Sequence, residues 1–171
     1  VPSKTFIASA GGRTAVLDAS SLGVTVDPDK VGIDVATVHG RVAGLALAQS
    51  ADIRTTLIAQ GVRIVDGTAR LADADAGRAT HTVVATAPGG AETDHPADVV
   101  LVATGASPRV LPDAIPDGER ILTWRQVYSL DTLPEHLIVV GSGVTGAEFA
   151  SAYTEMGVNV TLVSSRDRVL P

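Results

Sequence analysis

Three glycines in the last third of the chain have the spacing of a phosphate-binding turn. Gly141, Gly143 and Gly146 form a G-x-G-x-x-G pattern that follows an apolar run and opens a predicted helix. The first glycine allows a tight turn, the second lets a diphosphate approach the backbone, and the third lets the helix lie close to the strand. The helix N-terminus adds free N–H groups and partial positive charge. The pattern predicts a dinucleotide site; the alternative is a glycine-rich turn without a ligand.

The residues about 20 positions beyond these glycines bear on which dinucleotide would bind. A site for NAD usually has Asp or Glu there, at the end of the second strand, to accept hydrogen bonds from the ribose. This chain has Ser164, Ser165 and Arg166 instead. Hydroxyls and a cation can receive a 2′-phosphate, which a nearby carboxylate would repel. We therefore predict NADPH over NADH. The alternatives are that Asp167 binds the ribose and that Arg166 is a solvated surface charge.

The elements that would position these residues form a βαβ unit. Residues 137–140 are continuously apolar, which predicts a buried strand. Residues 145–156 suit a helix ended by Gly157, and residues 158–163 alternate like a second strand.

Upstream, apolar residues recur at helical spacing between Asp34 and Gln60, with Asp34 as cap, Gly61 as stop and a possible break near Gly44. The recurring residues are Val35, Val38, Val42, Leu45, Ile53 and Leu57. The pattern predicts one long helix.

Two β-like runs follow that helix. Residues 62–65 end at a turn, and residues 81–86 are closed by Pro88-Gly89-Gly90. Together they predict a small antiparallel meander. Asp73 and Asp75 would lie in a solvated hairpin loop, and residues 94–96 would form a turn.

A continuously apolar run, VVLVA at residues 99–103, predicts a central parallel strand buried on both faces. The proline-rich residues 107–134 are typical of a connection between domains. Within them, residues 124–130 could form a short helix with Thr123 as its cap. Trp124 is interpreted as an aromatic packed against a domain, with a ligand platform as the alternative.

Composition and charge exclude several classes of protein. The net charge is −6 and the 13 basic residues are scattered, so nothing predicts binding to nucleic acid. There is no cysteine, and His39, His81, His95 and His136 lack ligand spacing, so we predict no metal site. No apolar run is long enough for a membrane span, and a cytoplasmic location is the default expectation.

Three separated segments together resemble one family. They are VPSK at residues 1–4, VVLVATGASP at residues 99–108 and LIVVGSGVTGAEFA at residues 137–150. In this order and spacing they are similar to the pyridine nucleotide-disulfide oxidoreductases. Within that family, residues 121–149 most resemble bacterial NAD(P)H quinone reductases that are similar to dihydrolipoamide dehydrogenase.

The resemblance implies catalytic roles for Lys4 and Glu148. Lys4 would lie near the flavin and pair with Glu148, just beyond the third glycine of the fingerprint. Without the resemblance, Lys4 would be a solvated lysine and Glu148 would only complement a helix dipole. Val144 occupies a position where some relatives carry a bulky residue over the flavin, so its small side chain would leave that face open.

The resemblance also implies two sets of cofactor contacts. FAD would be contacted by Lys4, Ala69, Thr104, Gly105 and Ala106. The nicotinamide coenzyme, NADP(H) or NAD(H), would be contacted by Gly141, Ser142, Gly143, Val144, Thr145, Gly146, Glu148, Ser164, Ser165 and Arg166.

The expected fold is α/β, with Rossmann-like FAD- and NAD(P)-binding domains that contain parallel sheet and a small antiparallel meander. We expect the chain to be a fragment of a larger flavoprotein with two dinucleotide-binding domains. Residues 1–110 would belong to the FAD-binding domain, residues 111–136 to a connection, and residues 137–171 to the start of the NAD(P)-binding domain.

The expected function is an FAD-dependent oxidoreductase that passes hydride from NAD(P)H through the flavin to a quinone or similar small acceptor. The alternatives are a dihydrolipoamide dehydrogenase, another disulfide reductase or a transhydrogenase and, from another class, a non-catalytic redox sensor. The paired cysteines of disulfide reductases would precede Val1. We expect a homodimer at full length and no catalysis by these residues alone.

Overall fold

The computed structural model describes residues 2–72 and 80–170, which form two compact units. The first unit joins residues 1–51 to residues 110–171, and the second holds residues 52–109. The predicted α/β class is confirmed, with a parallel strand pair in the first unit and an antiparallel sheet in the second. The predicted cofactor-domain boundaries stay a prediction. The predicted hairpin loop at Asp73 and Asp75 lies outside the described residues.

The first helix, α1, covers Pro2–Asp18, where the sequence pattern predicted no element. Its buried side chains are Phe6 and Ala10, one turn apart on the same face. Because small and polar residues fill most of the other positions, this two-residue contact leaves no clear apolar stripe in the sequence.

The predicted long helix is present as α2, Val35–Ala59, and continues through Gly44 without a break. Its start is capped by Asp34, whose carboxylate accepts a hydrogen bond of 3.1 Å from the backbone N of Thr37. Its end is followed by Gly61 at a φ of 82°, the left-handed conformation that glycine adopts without strain.

Only the first half of the predicted apolar stripe of α2 is buried. Val35, Val38 and Val42 are buried, whereas Leu45 and Ile53 are exposed. Within the described chain, core residues pack mainly against the first turns of α2.

The predicted meander is a three-stranded antiparallel sheet in the order β1, β2, β3, formed by Thr68–Leu71, His81–Thr86 and Glu92–Ala97. This sheet differs from the predicted meander in two places. Residues 62–65 are not a strand, since the first strand begins only after Gly67. Residues 94–96 lie within β3 rather than in a turn, and Pro96 is tolerated because β3 is an edge strand.

The prediction of a buried central strand at residues 99–103 is wrong for this structure. No strand forms there, and Val99, Leu101 and Val102 are 84%, 88% and 69% exposed. A strand of this kind needs hydrogen-bonded neighbours on both sides and cover on both faces. The described strands of the second unit pair only with each other and provide neither.

The predicted βαβ unit is confirmed as β4 (His136–Val140), α3 (Val144–Glu155) and β5 (Asn159–Val163), with β4 parallel to β5. Gly157, which follows α3, has a φ of 95°. Burial of β4 is less complete than predicted, because Ile138 and Val140 are exposed while Leu137 packs against the core. One face of the pair is thus covered.

The core of the first unit lies between α1, the start of α2 and α3. Its largest members are aromatic: Phe6 contacts the rings of Tyr128, Phe149 and Tyr153 at centroid distances of 5.3–5.9 Å. The full set of buried core residues is Phe6, Ala10, Val38, Val42, Phe149, Ala152, Tyr153, Met156 and Val158.

Polar contacts at both ends hold α1 beside α3. At the start, Lys4 pairs with Glu148. Near the end, the guanidinium of Arg13 donates to the backbone O of Glu155, the last residue of α3, at 3.0 Å and to the backbone O of Val31 at 3.2 Å. A cation at a helix C-terminus is electrostatically favourable. The two helices therefore run in the same direction with their first turns together.

Candidate functional site

The glycine turn between β4 and α3 has the geometry that its sequence predicts. Gly141 has a φ of 113°, where a side chain would be strained, and its backbone N donates to the O of Val163 at 2.9 Å. Gly143 caps α3 in an extended conformation, and its carbonyl accepts from the N of Ala147 at 2.9 Å. The turn therefore aims the start of α3 past the ends of both parallel strands.

The other two glycines differ in what surrounds them. A Cβ added to Gly146 would lie 1.8 Å from the backbone O of Gly141, so only glycine allows α3 to lie this close to the turn. A Cβ added to Gly143 would meet no atom within 4 Å. The backbone at Gly143 is thus open to a ligand, and the turn fits the diphosphate of a dinucleotide.

The segment after β5 is attached to this turn through Ser142. The Ser142 hydroxyl is buried and lies 2.6 Å from the hydroxyl of Ser164. The Ser142 carbonyl accepts a 3.0 Å hydrogen bond from the N of Leu170. Ser165 and Arg166, the other residues predicted to receive a 2′-phosphate, are exposed. The structure therefore gathers the predicted coenzyme residues at one end of the strand pair.

Lys4 and Glu148 form an ion pair, the contact that the family resemblance implies. Glu148 lies in the first turns of α3 and Lys4 in the first turn of α1. The hydrogen bond from Lys4 is the main cause that holds the pKa of Glu148 below its ordinary value. Glu148 is therefore a carboxylate at neutral pH, and it is the partner of the Lys4 ammonium.

A cleft of about 280 Å³ opens beside this ion pair. It is lined by Pro2, Ser3, Trp124, Tyr128, Thr145, Glu148 and Phe149. Burial raises the pKa of Tyr128 to about 12, and the charge of Glu148 adds to the shift. The cleft thus combines an aromatic wall with one carboxylate, a lining suited to a flat ring.

Of the aromatic residues in this cleft, Trp124 was considered as a ligand platform only as the alternative, and Tyr128 and Phe149 were not predicted to belong to a site. Trp124 is 41% exposed, with the guanidinium of Arg125 at 5.1 Å from its ring. Just after it, the predicted short helix is present as a single 3₁₀ turn, Gln126–Ser129. A signal existed in the sequence: aromatic residues are only 3% of the chain, and Trp124 and Tyr128 are one helical turn apart.

The remaining predicted site residues are Val144 and the expected FAD contacts in the second unit. Val144 is exposed at the start of α3. In the second unit, Ala69 lies in β1, and residues 104–106 form an exposed irregular segment in which Gly105 has a φ of 76°. Their contacts with FAD stay predictions.

Two features are absent from residues 2–72 and 80–170. Within these ranges no cluster of three or more His, Asp or Glu side chains could hold a metal ion. In the same ranges no helix is both long and apolar enough to cross a membrane.

Comparison with known proteins identifies relatives over the whole chain. Across 171 residues it is 60% identical to the NAD(P)H dehydrogenase (quinone) of Mycobacterium tuberculosis (strain CDC 1551 / Oshkosh) and 34% identical to the dihydrolipoyl dehydrogenase of Chlorobaculum parvum (strain DSM 263 / NCIMB 8327). The match covers 100% of this chain and 35% of each relative. The chain therefore spans about a third of the length of these relatives.

A solved structure and a family model agree with these relatives. The crystal structure of LpdA from Mycobacterium tuberculosis matches with a TM-score of 0.89 and 59% identity, over 100% of this chain and 36% of that one. The family model described as pyridine nucleotide-disulphide oxidoreductase matches residues 1–171. The chain thus belongs to the pyridine nucleotide-disulphide oxidoreductases.

Proposed function

We propose that this chain is part of an FAD-dependent oxidoreductase that oxidises NAD(P)H, with NADPH favoured, and reduces a quinone or a similar small acceptor. The observation that carries the proposal is the glycine turn of α3 with the Lys4–Glu148 pair one turn further along the helix. The turn would bind the diphosphate of a dinucleotide, and the pair would place the Lys4 ammonium close to that site.

The residues of the turn would bind the nicotinamide coenzyme by its diphosphate. Gly143 leaves its backbone open, and the unpaired N–H groups at the start of α3 favour an anion. Gly146 keeps the helix close to the turn, so these groups stay in place without rearrangement. Binding energy from the diphosphate would thereby orient the rest of the coenzyme.

Lys4 and Glu148 would act by electrostatics. When bound, FAD supplies the two-electron chemistry by accepting hydride from the coenzyme and passing electrons to the acceptor. The Lys4 ammonium would stabilise negative charge that develops on the reduced cofactor. Glu148 accepts a hydrogen bond from that ammonium and so orients it.

The preference for NADPH rests on the segment after β5. Arg166 is exposed and cationic, Ser165 is exposed, and neither Asp nor Glu occupies residues 163–166. A guanidinium binds a phosphate with charge-assisted hydrogen bonds. Asp167 is the residue that would favour NADH if the ribose reached further along the chain.

The choice of a quinone acceptor is supported by the relative at 60% identity, which is named NAD(P)H dehydrogenase (quinone). Dihydrolipoyl dehydrogenase activity is the second candidate, supported by the relative at 34% identity. A homodimer, a cytoplasmic location and the absence of a metal complete the proposal for the full-length protein.

The test is a reduction experiment on the full-length protein. A visible spectrum with flavin bands is expected, whereas a non-catalytic redox sensor without flavin would be colourless. Anaerobic stopped-flow mixing should show faster flavin reduction by NADPH than by NADH, and steady-state turnover should be faster with a benzoquinone than with lipoamide. Faster turnover with lipoamide would replace the quinone assignment, and a colourless protein would remove the enzyme assignment altogether.

A further inference from the structure

The hydroxyl of Ser164, one of the groups assigned above to the 2′-phosphate, already uses its full hydrogen-bonding capacity. Its Oγ lies 2.6 Å from the Oγ of Ser142 and 3.0 Å from both the backbone N and the backbone O of Arg166. A serine hydroxyl has one proton to donate and two lone pairs. All three contacts are satisfied only if Ser164 donates to the Arg166 carbonyl and accepts from the Arg166 N–H and from Ser142.

Ser142 is well placed to control the segment that contains these residues. It lies between the first two glycines of the turn and is buried, at 6% exposure. Its hydroxyl contacts Ser164 at the start of the segment, and its carbonyl accepts from the N of Leu170 at the end. Both ends of residues 164–170 are therefore attached to one residue of the glycine turn.

We propose that Ser142 is a positioning residue for coenzyme specificity. Its buried hydroxyl engages Ser164, fixes residues 164–170 against the glycine turn, and leaves recognition of the 2′-phosphate to the exposed Ser165 and Arg166. This inference rests on the proposed function, because it concerns the same coenzyme site. It changes the role assigned to Ser164, whose hydroxyl orders the segment instead of contacting the phosphate.

The test compares two probes that differ only in the 2′-phosphate, adenosine 2′,5′-bisphosphate and 5′-AMP. Their dissociation constants for the full-length protein with its flavin are measured by calorimetry, and their ratio is the readout. A general loss of fold weakens both probes alike and leaves the ratio unchanged. The ratio therefore reports on phosphate recognition alone.

Ser142→Ala, Ser164→Ala and the double variant should each reduce the preference for the bisphosphate by roughly the same fivefold factor, because residues that act as one unit are not additive. Arg166→Gln should reduce it further, by roughly thirtyfold, since it removes a charge-assisted contact. Ser164→Thr keeps a hydroxyl and should keep the ratio. Ser151→Ala is the matched control: its hydroxyl donates to Glu155 on the exposed side of α3, and its removal should change nothing.

Amide hydrogen exchange gives a second readout. The N–H of Arg166 donates to Ser164 Oγ, so its exchange should become faster in Ser142→Ala if Ser142 orders the segment. Unchanged exchange would overturn the proposal. Should Ser142→Ala not fold, Ser142→Gly removes the same hydroxyl and takes its place in both measurements.

Three other results would overturn the inference in distinguishable ways. A large loss of preference in Ser164→Ala with none in Ser142→Ala would mean that Ser164 contacts the phosphate directly. Additive effects in the double variant would show that the two hydroxyls act independently. If the wild-type protein itself binds both probes equally, the NADPH assignment fails, and the positioning role fails with it.

Discussion

The two compact units of this chain differ in what packs them. Both phenylalanines, both tyrosines and the tryptophan belong to the first unit, where four of the rings contact one another. Residues 52–109 contain no Phe, Trp or Tyr, and of those that the structure describes only Val84 and Ala85 are buried. The first unit thus has a core of its own, whereas the second depends on its strand ladder.

This difference in packing explains why the candidate site residues with defined contacts lie in the first unit. The glycine turn, the Lys4–Glu148 pair and the aromatic cleft all lie in the first unit, on elements that the core holds in place. The predicted FAD contacts of the second unit include an exposed irregular segment, residues 104–106. Precise placement of side chains requires packed supporting residues, and only the first unit supplies them here.

The largest expected effects come from two glycine substitutions, one in each unit, whose added Cβ would collide with backbone atoms. Gly146→Ala would put a Cβ 1.8 Å from the Gly141 O, so α3 must move and the affinity for NADPH should fall by more than about a hundredfold. Gly67→Ala collides with the Thr86 O at 2.2 Å in the second unit and should lower stability while leaving that affinity unchanged. Coenzyme titration and thermal unfolding of the full-length variants distinguish the two results.

Gly44→Ala is the control for both glycine substitutions. Gly44 is within α2 and an added Cβ would meet nothing within 4 Å, so the variant should gain up to about 1 kcal/mol from helix propensity. Normal coenzyme affinity in Gly146→Ala would contradict the assignment of the glycine turn as the coenzyme site.

Truncation of one core residue in each unit should show the difference in packing directly. Phe6→Ala removes a ring that touches four others and should cost about 3–5 kcal/mol of unfolding free energy. Val84→Ala removes a smaller side chain from the sheet and should cost about 2 kcal/mol. Denaturant unfolding of the full-length protein measures both. Equal costs would mean that the second unit has a core as strong as the first.

Glu148→Gln tests the electrostatic role of the ion pair. The variant keeps the shape of the side chain and removes its charge, so flavin reduction by NADPH should slow by about tenfold to a hundredfold. Lys4→Met should have a similar effect, and the double variant should be no worse than the single ones, because the two groups act as a unit. Stopped-flow rates equal to those of the wild-type protein would exclude the pair from the mechanism.

The smallest expected effect is a difference between the units in how stability depends on pH. Lys4 lowers the pKa of Glu148 below its ordinary value of 4.5, and Arg54 lowers that of Asp66 in the second unit. A carboxyl with a lowered folded-state pKa stabilises the protein above its unfolded pKa, and this stabilisation is lost as pH falls through the folded value.

Differences in melting temperature between wild type and Glu148→Gln should therefore be present at pH 7 and shrink below about pH 4.5. Arg54→Gln should change the melting temperature less at every pH, because both members of that pair are exposed. A larger change in melting temperature in Arg54→Gln than in Glu148→Gln would mean that the ion pair of the second unit contributes more to stability than the pair of the first.

The features predicted correctly from the sequence depend on interactions within a few residues, whereas the missed features depend on contacts between distant residues. The βαβ unit and α2 were predicted because periodicity, caps and terminal glycines act within a few residues. Helix α1 was missed, because its burial depends on Phe6 meeting rings more than a hundred residues away. The prediction of a strand at residues 99–103 was wrong, because an apolar run cannot indicate whether neighbouring strands are present.

The sequence by itself determined the turn that could hold a dinucleotide. Glycine is required at residue 141 by backbone conformation and at residue 146 by close approach, and both requirements can be read from spacing alone. The tertiary structure alone decided which side chains surround that turn. Ser142 meets Ser164, and Trp124 faces the start of α3, because the folded backbone brings distant residues within contact distance, and no local pattern encodes such contacts.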